Sequence, residues 1–93
     1  MASNRAITTF RLRPEALVWQ EVGGEVVAMA TDSGQSMAVN RAGAVLWQAL
    51  ARGSEHGDLV QSLSATFRVS RAQAERDVDA FLAALRGRGL LVE

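Results

Sequence analysis

The chain has no cysteine, no lysine and a single proline in 93 residues. Without thiols there is no disulfide framework, no thiolate metal site and no cysteine nucleophile, and a reducing cytoplasm is the expected setting. With one proline and no low-complexity tract, disorder is not expected, and 48% hydrophobic residues are enough to build a core. An excess of positive charge is missing too. Ten Arg are balanced by ten Asp and Glu, for a net charge of zero. Nucleic-acid binders draw affinity from neutralised phosphates and released counterions, and this balance argues against such a partner. No run of about 18 apolar residues could span a membrane, and the opening MASNRAITTFRLR lacks the apolar core of a signal peptide. The expectation is a cytosolic protein with neither a nucleic-acid nor a membrane partner.

A chain this short builds one core. Residues 1–16 read as an N-terminal arm with weak alternation from Ala6 to Leu12, interrupted by Pro14. The folded domain is expected over residues 17–92. LVWQEV (Leu17 to Val22) and EVVAMAT (Glu25 to Thr31) are rich in β-branched and aromatic residues, and only Gly23-Gly24 separates them. A Gly-Gly loop supplies the positive φ angles of a two-residue hairpin, which sets Val22 opposite Glu25 and Trp19 opposite Ala28. After the turn signal Asp32-Ser33-Gly34, residues Ser36 to Val39 form a short third strand. A three-stranded meander needs a helical cover on one face.

The second half of the chain supplies that cover. Asn40 is placed to cap a helix running to Gly53, with Ala42, Val45, Leu46, Ala49 and Leu50 at helical period and Trp47 widening the stripe. Ser54 reads as the cap of a second helix with Leu59, Val60, Leu63 and Phe67 inside. Ser70 and Gln73 have capping-box spacing ahead of a third helix striped by Ala74, Val78, Phe81, Leu82 and Leu85. Gly87 or Gly89 ends it, and Leu90 to Val92 packs back on the core. The fold class is α+β, winged-helix-like: a three-stranded antiparallel meander followed by three helices.

Catalytic chemistry is not found. His56 is the sole histidine and reads as an exposed first-turn residue instead of a general base or metal ligand. Ser54 and Asp58 beside it are more simply a cap and a solvated charge than parts of a triad. Asp77 and Asp79 are two apart on a helix, about 200° around it, and cannot chelate one ion; with Glu75 they form a solvated face. Gly23-Gly24 and Gly87-Arg88-Gly89 are not phosphate loops. Trp19 and Trp47 read as core aromatics, with a pocket wall as the alternative. No enzyme, metal or cofactor is expected.

The run VWQEVGGEVVAMATDSGQSMAVNRAGAVLWQAL, followed by AERDVDAFLAALRGRGLL, resembles the pyrroloquinoline quinone biosynthesis protein D superfamily, the recognition elements of ribosomally made, post-translationally modified peptides. The resemblance covers residues 17 to 92. It rests on Asn40 opening the helix of Leu46-Trp47 and on the series Asp77-Val78, Phe81-Leu82, Leu85, Gly89-Leu90. It implies a small winged-helix-like domain that adds the leader segment of a precursor peptide as a strand beside Ser36, Met37, Ala38 and Val39. The leader's side chains would then enter a groove shared with Asp77, Val78, Phe81, Leu82 and Leu85. The implied partners are that leader, a separate leader peptidase and a cyclase. The stand-alone length and arm look more like the recognition half of a split lasso-peptide leader-processing protein than the quinone-pathway member. Two alternatives stay open: that quinone-pathway member itself, or a winged-helix DNA binder presenting Arg71, Arg76 and Arg86. In the DNA-binding case Glu75, Asp77 and Asp79 would face the same phosphates.

Overall fold

In Thr9–Leu12, Phe10 and Leu12 are buried and alternate with exposed Thr9 and Arg11, so this segment is a strand, β1. The coordinates are a computed structural model, which describes residues 8–93; the beginning of the expected arm, residues 1–7, lies outside the described residues. The rest of the arm is part of the folded body. Pro14 opens a 3-10 turn over Pro14–Ala16 that turns the chain into β2 (Leu17–Val22). β3 (Glu25–Ala30) returns antiparallel with Val22 opposite Glu25 and Trp19 opposite Ala28, the expected register. Gly23 and Gly24 close the hairpin with φ of 62° and 84°, angles that L side chains rarely adopt. β4 (Ser36–Val39) pairs with β3, giving a sheet ordered β2-β3-β4.

The first of three helices packs directly on the sheet face that carries Val26, Ala28 and Ala30, the second packs on the first and the third on the second. α1 (Arg41–Arg52) starts at Asn40, whose Oδ1 accepts a hydrogen bond from the Gly43 N–H at 2.9 Å. It buries Gly43, Ala44, Leu46, Trp47 and Leu50, while Ala42 and Ala49 are only half-buried. The expected stripe is therefore rotated toward Trp47, which is fully buried at the centre of the core.

Ser54 does not cap a helix: Ser54–Glu55 is a short strand, β5, drawn into pairing with Phe10 and Thr9 of β1. α2 (His56–Phe67) follows it, with Glu55 at its N-cap making no side-chain capping bond. Phe67 is not inside. It sits in the last turn of α2 and is 37% exposed, whereas Leu59, Val60 and Leu63 are buried.

α3 (Arg71–Gly87) is capped by Ser70, whose Oγ accepts from the Gln73 N–H at 3.1 Å. The reciprocal half of the capping box is not made, because the Gln73 side chain turns to Asp77 and Arg76. The tail forms β6 (Leu91–Val92), paired with β1 at Leu12 and Arg11. β1 thus lies at the centre of a second sheet, β5-β1-β6, which ties the α1–α2 junction to the C-terminal tail. Phe10, Leu12 and Leu91 join the same core as Trp47.

Candidate functional site: an open strand edge beside an apolar groove

Hairpin geometry decides which backbone groups are free. The closing pair of a two-residue hairpin, Val22 and Glu25, exchanges both of its hydrogen bonds, and bonded pairs alternate from there. Glu25, Val27 and Met29 therefore bond toward β2, and Val26, Ala28 and Ala30 toward β4. The Ala30 N–H donates to the Gln35 carbonyl at 2.9 Å, in phase with this alternation. Gln35, Met37 and Val39 consequently spend their N–H and C=O groups on β3. Those of Ser36 and Ala38 point to the outer edge, where no other strand of the described residues pairs with them.

Side chains alternate along the same strand. Met37 and Val39 face the helices and are half-buried, while Ser36 and Ala38 are exposed. Beside them a groove of about 580 Å³ runs between β4 and α3. Its floor is Leu46 and Trp47 of α1 with Leu63 and Leu85, all buried. The α3 wall is Asp77, Ala80, Phe81, Ala84, Leu85 and Arg88, at i, i+3, i+4, i+7, i+8 and i+11. This stripe is offset from the core stripe of Ala74, Val78, Leu82 and Leu85. One face of α3 builds the core, and the adjacent face is left to the groove.

The structure thus brings together Met37, Ala38, Val39, Asp77, Phe81 and Leu85 of the expected site. It does not bring Val78 and Leu82 to the groove, since both are buried in the core, and Ser36 contributes through its outward backbone alone. Sequence reasoning missed Gly43, Ala80, Ala84 and Arg88. Gly43 had a legible signal: a glycine in the first turn of a helix costs about 1 kcal/mol relative to alanine and calls for a packing reason. Here a Cβ would overlap Cγ1 of Val39 and come within 3.1 Å of Cε1 of Phe81. Its absence lets the groove's two walls meet over α1.

The arginines proposed for a DNA contact are otherwise engaged. Arg71 pairs with Glu75 at 3.5 Å, and Arg76 donates to Gln73 at 2.8 Å. Arg86 pairs with Glu93 at 2.7 Å, and that hydrogen bond and negative charge raise its pKa further. Among the described residues no group of three or more His, Cys, Asp or Glu could hold a metal ion, and no helix is long and apolar enough to cross a membrane.

Comparison with curated proteins finds no match. Solved structures do match. One, described as lasso peptide synthetase B1 complexed with the leader peptide, is 31% identical, covers 90% of this chain and 98% of its own, and superposes with a TM-score of 0.77. Another, TbiB1 in complex with the TbiA(beta) leader peptide, is 28% identical, covers 87% of this chain and 93% of its own, and gives a TM-score of 0.80. The family model of coenzyme PQQ synthesis protein D (PqqD) matches residues 25–91, from the start of β3 to the first residue of β6. A meander with an open β4 edge, three helices and this sequence match agree, and the chain belongs to the PqqD family.

Proposed function

We propose that this protein binds the leader segment of a ribosomally made precursor peptide as an added strand on β4 and presents it to separate maturation enzymes. The observation that carries this reading is the pair of outward-facing backbones at Ser36 and Ala38 beside the Met37–Val39–Phe81 groove. Both solved neighbours are described as complexes with leader peptides. The partners would be a leader peptidase and a cyclase, the product a lasso peptide and the place of action the cytoplasm. The role is that of an adaptor without turnover of its own.

Energetics divide the work between backbone and side chains. Ser36 and Ala38 offer two N–H and two C=O groups, so a guest gains four backbone hydrogen bonds, each worth about 0.5–1.5 kcal/mol net. That falls short of the roughly 8 kcal/mol of a micromolar complex once ordering costs are met. Guest residues opposite Met37 and Val39 point into the groove at every second position. Two or three apolar anchors there, at about 1.5–3 kcal/mol each, would make up the difference and confer selectivity.

The test is amide hydrogen exchange by NMR with a synthetic peptide spanning the leader of a candidate lasso-peptide precursor from the same organism. The Ser36 and Ala38 amides should gain protection on binding, while those of Met37 and Val39, already bonded to β3, should change little. Affinity should fall far less steeply with salt than phosphate-driven binding does. Failure of the leader to bind, or binding that leaves Ser36 and Ala38 exchanging freely, would overturn the proposal.

A further inference from the structure

We infer that the groove reads charge as well as apolar shape: Asp77 and Arg88, at the two ends of its α3 wall, select a strand with a basic side chain near Asp77 and an acidic one near Arg88. The inference rests on the strand-addition reading above and specifies the guest for that same site.

Every other side chain of the described residues that lines the groove is uncharged. Asp77 and Arg88 are eleven residues apart, about 20° from alignment on one helical face, so both border the same channel. Charges elsewhere on α3 have partners, Arg71 with Glu75, Asp79 with His56 at 2.7 Å and Arg86 with Glu93, except Arg76, which donates to the neutral Gln73 side chain and does not line the groove. Arg88 has no carboxylate within ion-pair distance among the described residues, and one oxygen of Asp77 accepts only a neutral Gln73 amide, at 2.8 Å. Of the α3-wall charges without an opposite charge, Asp77 and Arg88 are the two that face the groove and are left for a guest.

Spacing sets the pattern. Eleven helical residues span about 16 Å, which an extended strand covers in about five residues. Side chains facing one side of a strand recur at even intervals, so the complementary pair falls about four or six residues apart, with apolar residues between. The opposite charge order would set like charges together at both ends. Charge order along the groove thereby fixes the direction in which the guest strand lies.

The experiment is selection of a randomised 12-residue peptide display library on the full chain and on the double variant Asp77→Arg/Arg88→Glu, with Arg52→Glu as a charge control outside the groove. Circular dichroism checks that each is folded. Peptides selected by the unmodified chain should be enriched in an acid–base pair at that spacing. The double variant should select the reverse order, and a labelled selected peptide should lose affinity about tenfold on it by fluorescence anisotropy and regain it when its two charges are exchanged. Arg52→Glu should select as the unmodified chain does. Peptides that protect the Ser36 and Ala38 amides but show no charge order, or bind chain and double variant alike, would sink the charge inference and leave strand addition standing. A library yielding no binder at the β4 edge would sink both.

Discussion

The indole rings of Trp19 and Trp47 meet edge to face, with centroids 6.0 Å apart and planes at 74°. Trp47 is fully buried, whereas Trp19, on the β2 edge strand, is 37% exposed, so one ring belongs to the core and the other lies over it. Trp19 sits in a cross-strand row with Ala28 and Met37. The small Ala28 between them leaves room for the rings to meet, and edge-to-face contact sets the positive rim of one against the negative face of the other. Trp47→Ala should therefore cost about 3–5 kcal/mol, and Trp19→Ala only about 1–2 kcal/mol. Urea unfolding followed by circular dichroism measures both, and equal losses would mean that the core is not organised around Trp47.

Gly43 and Gly57 are both helical glycines, and they should respond to alanine in opposite directions. At Gly57 a Cβ meets nothing within 4 Å, so Gly57→Ala should stabilise α2 by about 0.5–1 kcal/mol. At Gly43 the same methyl drives into Val39 and Phe81, and overpacking of about 1–3 kcal/mol outweighs the gain in helix propensity. Thermal unfolding of the two variants gives the signs. Peptide affinity should fall for Gly43→Ala alone, because the groove walls are pushed apart.

Proline substitution along β4 separates outward from inward backbone groups. Ala38→Pro deletes an N–H that faces the open edge, a position an edge strand tolerates, so the fold should survive while guest binding falls about tenfold or more. Met37→Pro deletes an N–H bonded to β3 and should destabilise the sheet itself. Met37→Asp keeps the backbone and places a charge in the groove, so it should weaken binding in a folded protein. Circular dichroism and anisotropy on the three variants read fold and affinity separately, and an Ala38→Pro protein that binds unchanged would show that the guest does not use this edge.

Arg68 ends α2 with φ of 56°, the described residues' one left-handed conformation outside glycine. A Cβ in this region costs about 1 kcal/mol, so Arg68→Gly should stabilise the protein by about 0.5–1 kcal/mol, measured as a shift in the urea midpoint. A loss would mean that the arginine stem contributes more packing than its exposed position suggests.

Local chemistry made much of this fold legible. The Gly23-Gly24 turn set the β2–β3 register without reference to anything distant, because only that register closes a two-residue loop. Asn40 and Ser70 marked two helix starts for the same reason, since a cap bonds backbone within its own first turn. Ser54 misled because capping competes with strand pairing, and its partner, Phe10, lies 44 positions earlier in the chain. β5 and β6 have two residues each, too few for any periodic signal.

The candidate site divides along the same line. β4 and the apolar face of α3 could be read from periodicity, and the family resemblance pointed to both; Met37, Val39, Phe81 and Leu85 of these lie along the groove. Whether a residue on that face enters the core or the groove depends on where α1 and α2 press against α3, which no local pattern encodes. Val78 and Leu82 therefore went to the core, while Ala80, Ala84 and Arg88 went to the groove. The sequence by itself determined the three-stranded meander, the three helices, their order and the hairpin register, since those follow from turn chemistry and side-chain period within a few residues. Only the tertiary structure decided that β1 closes a second sheet, that the outer edge of β4 stays open and that one stripe of α3 is left uncovered. Those outcomes depend on contacts between segments far apart in the chain, where packing and not propensity sets the answer.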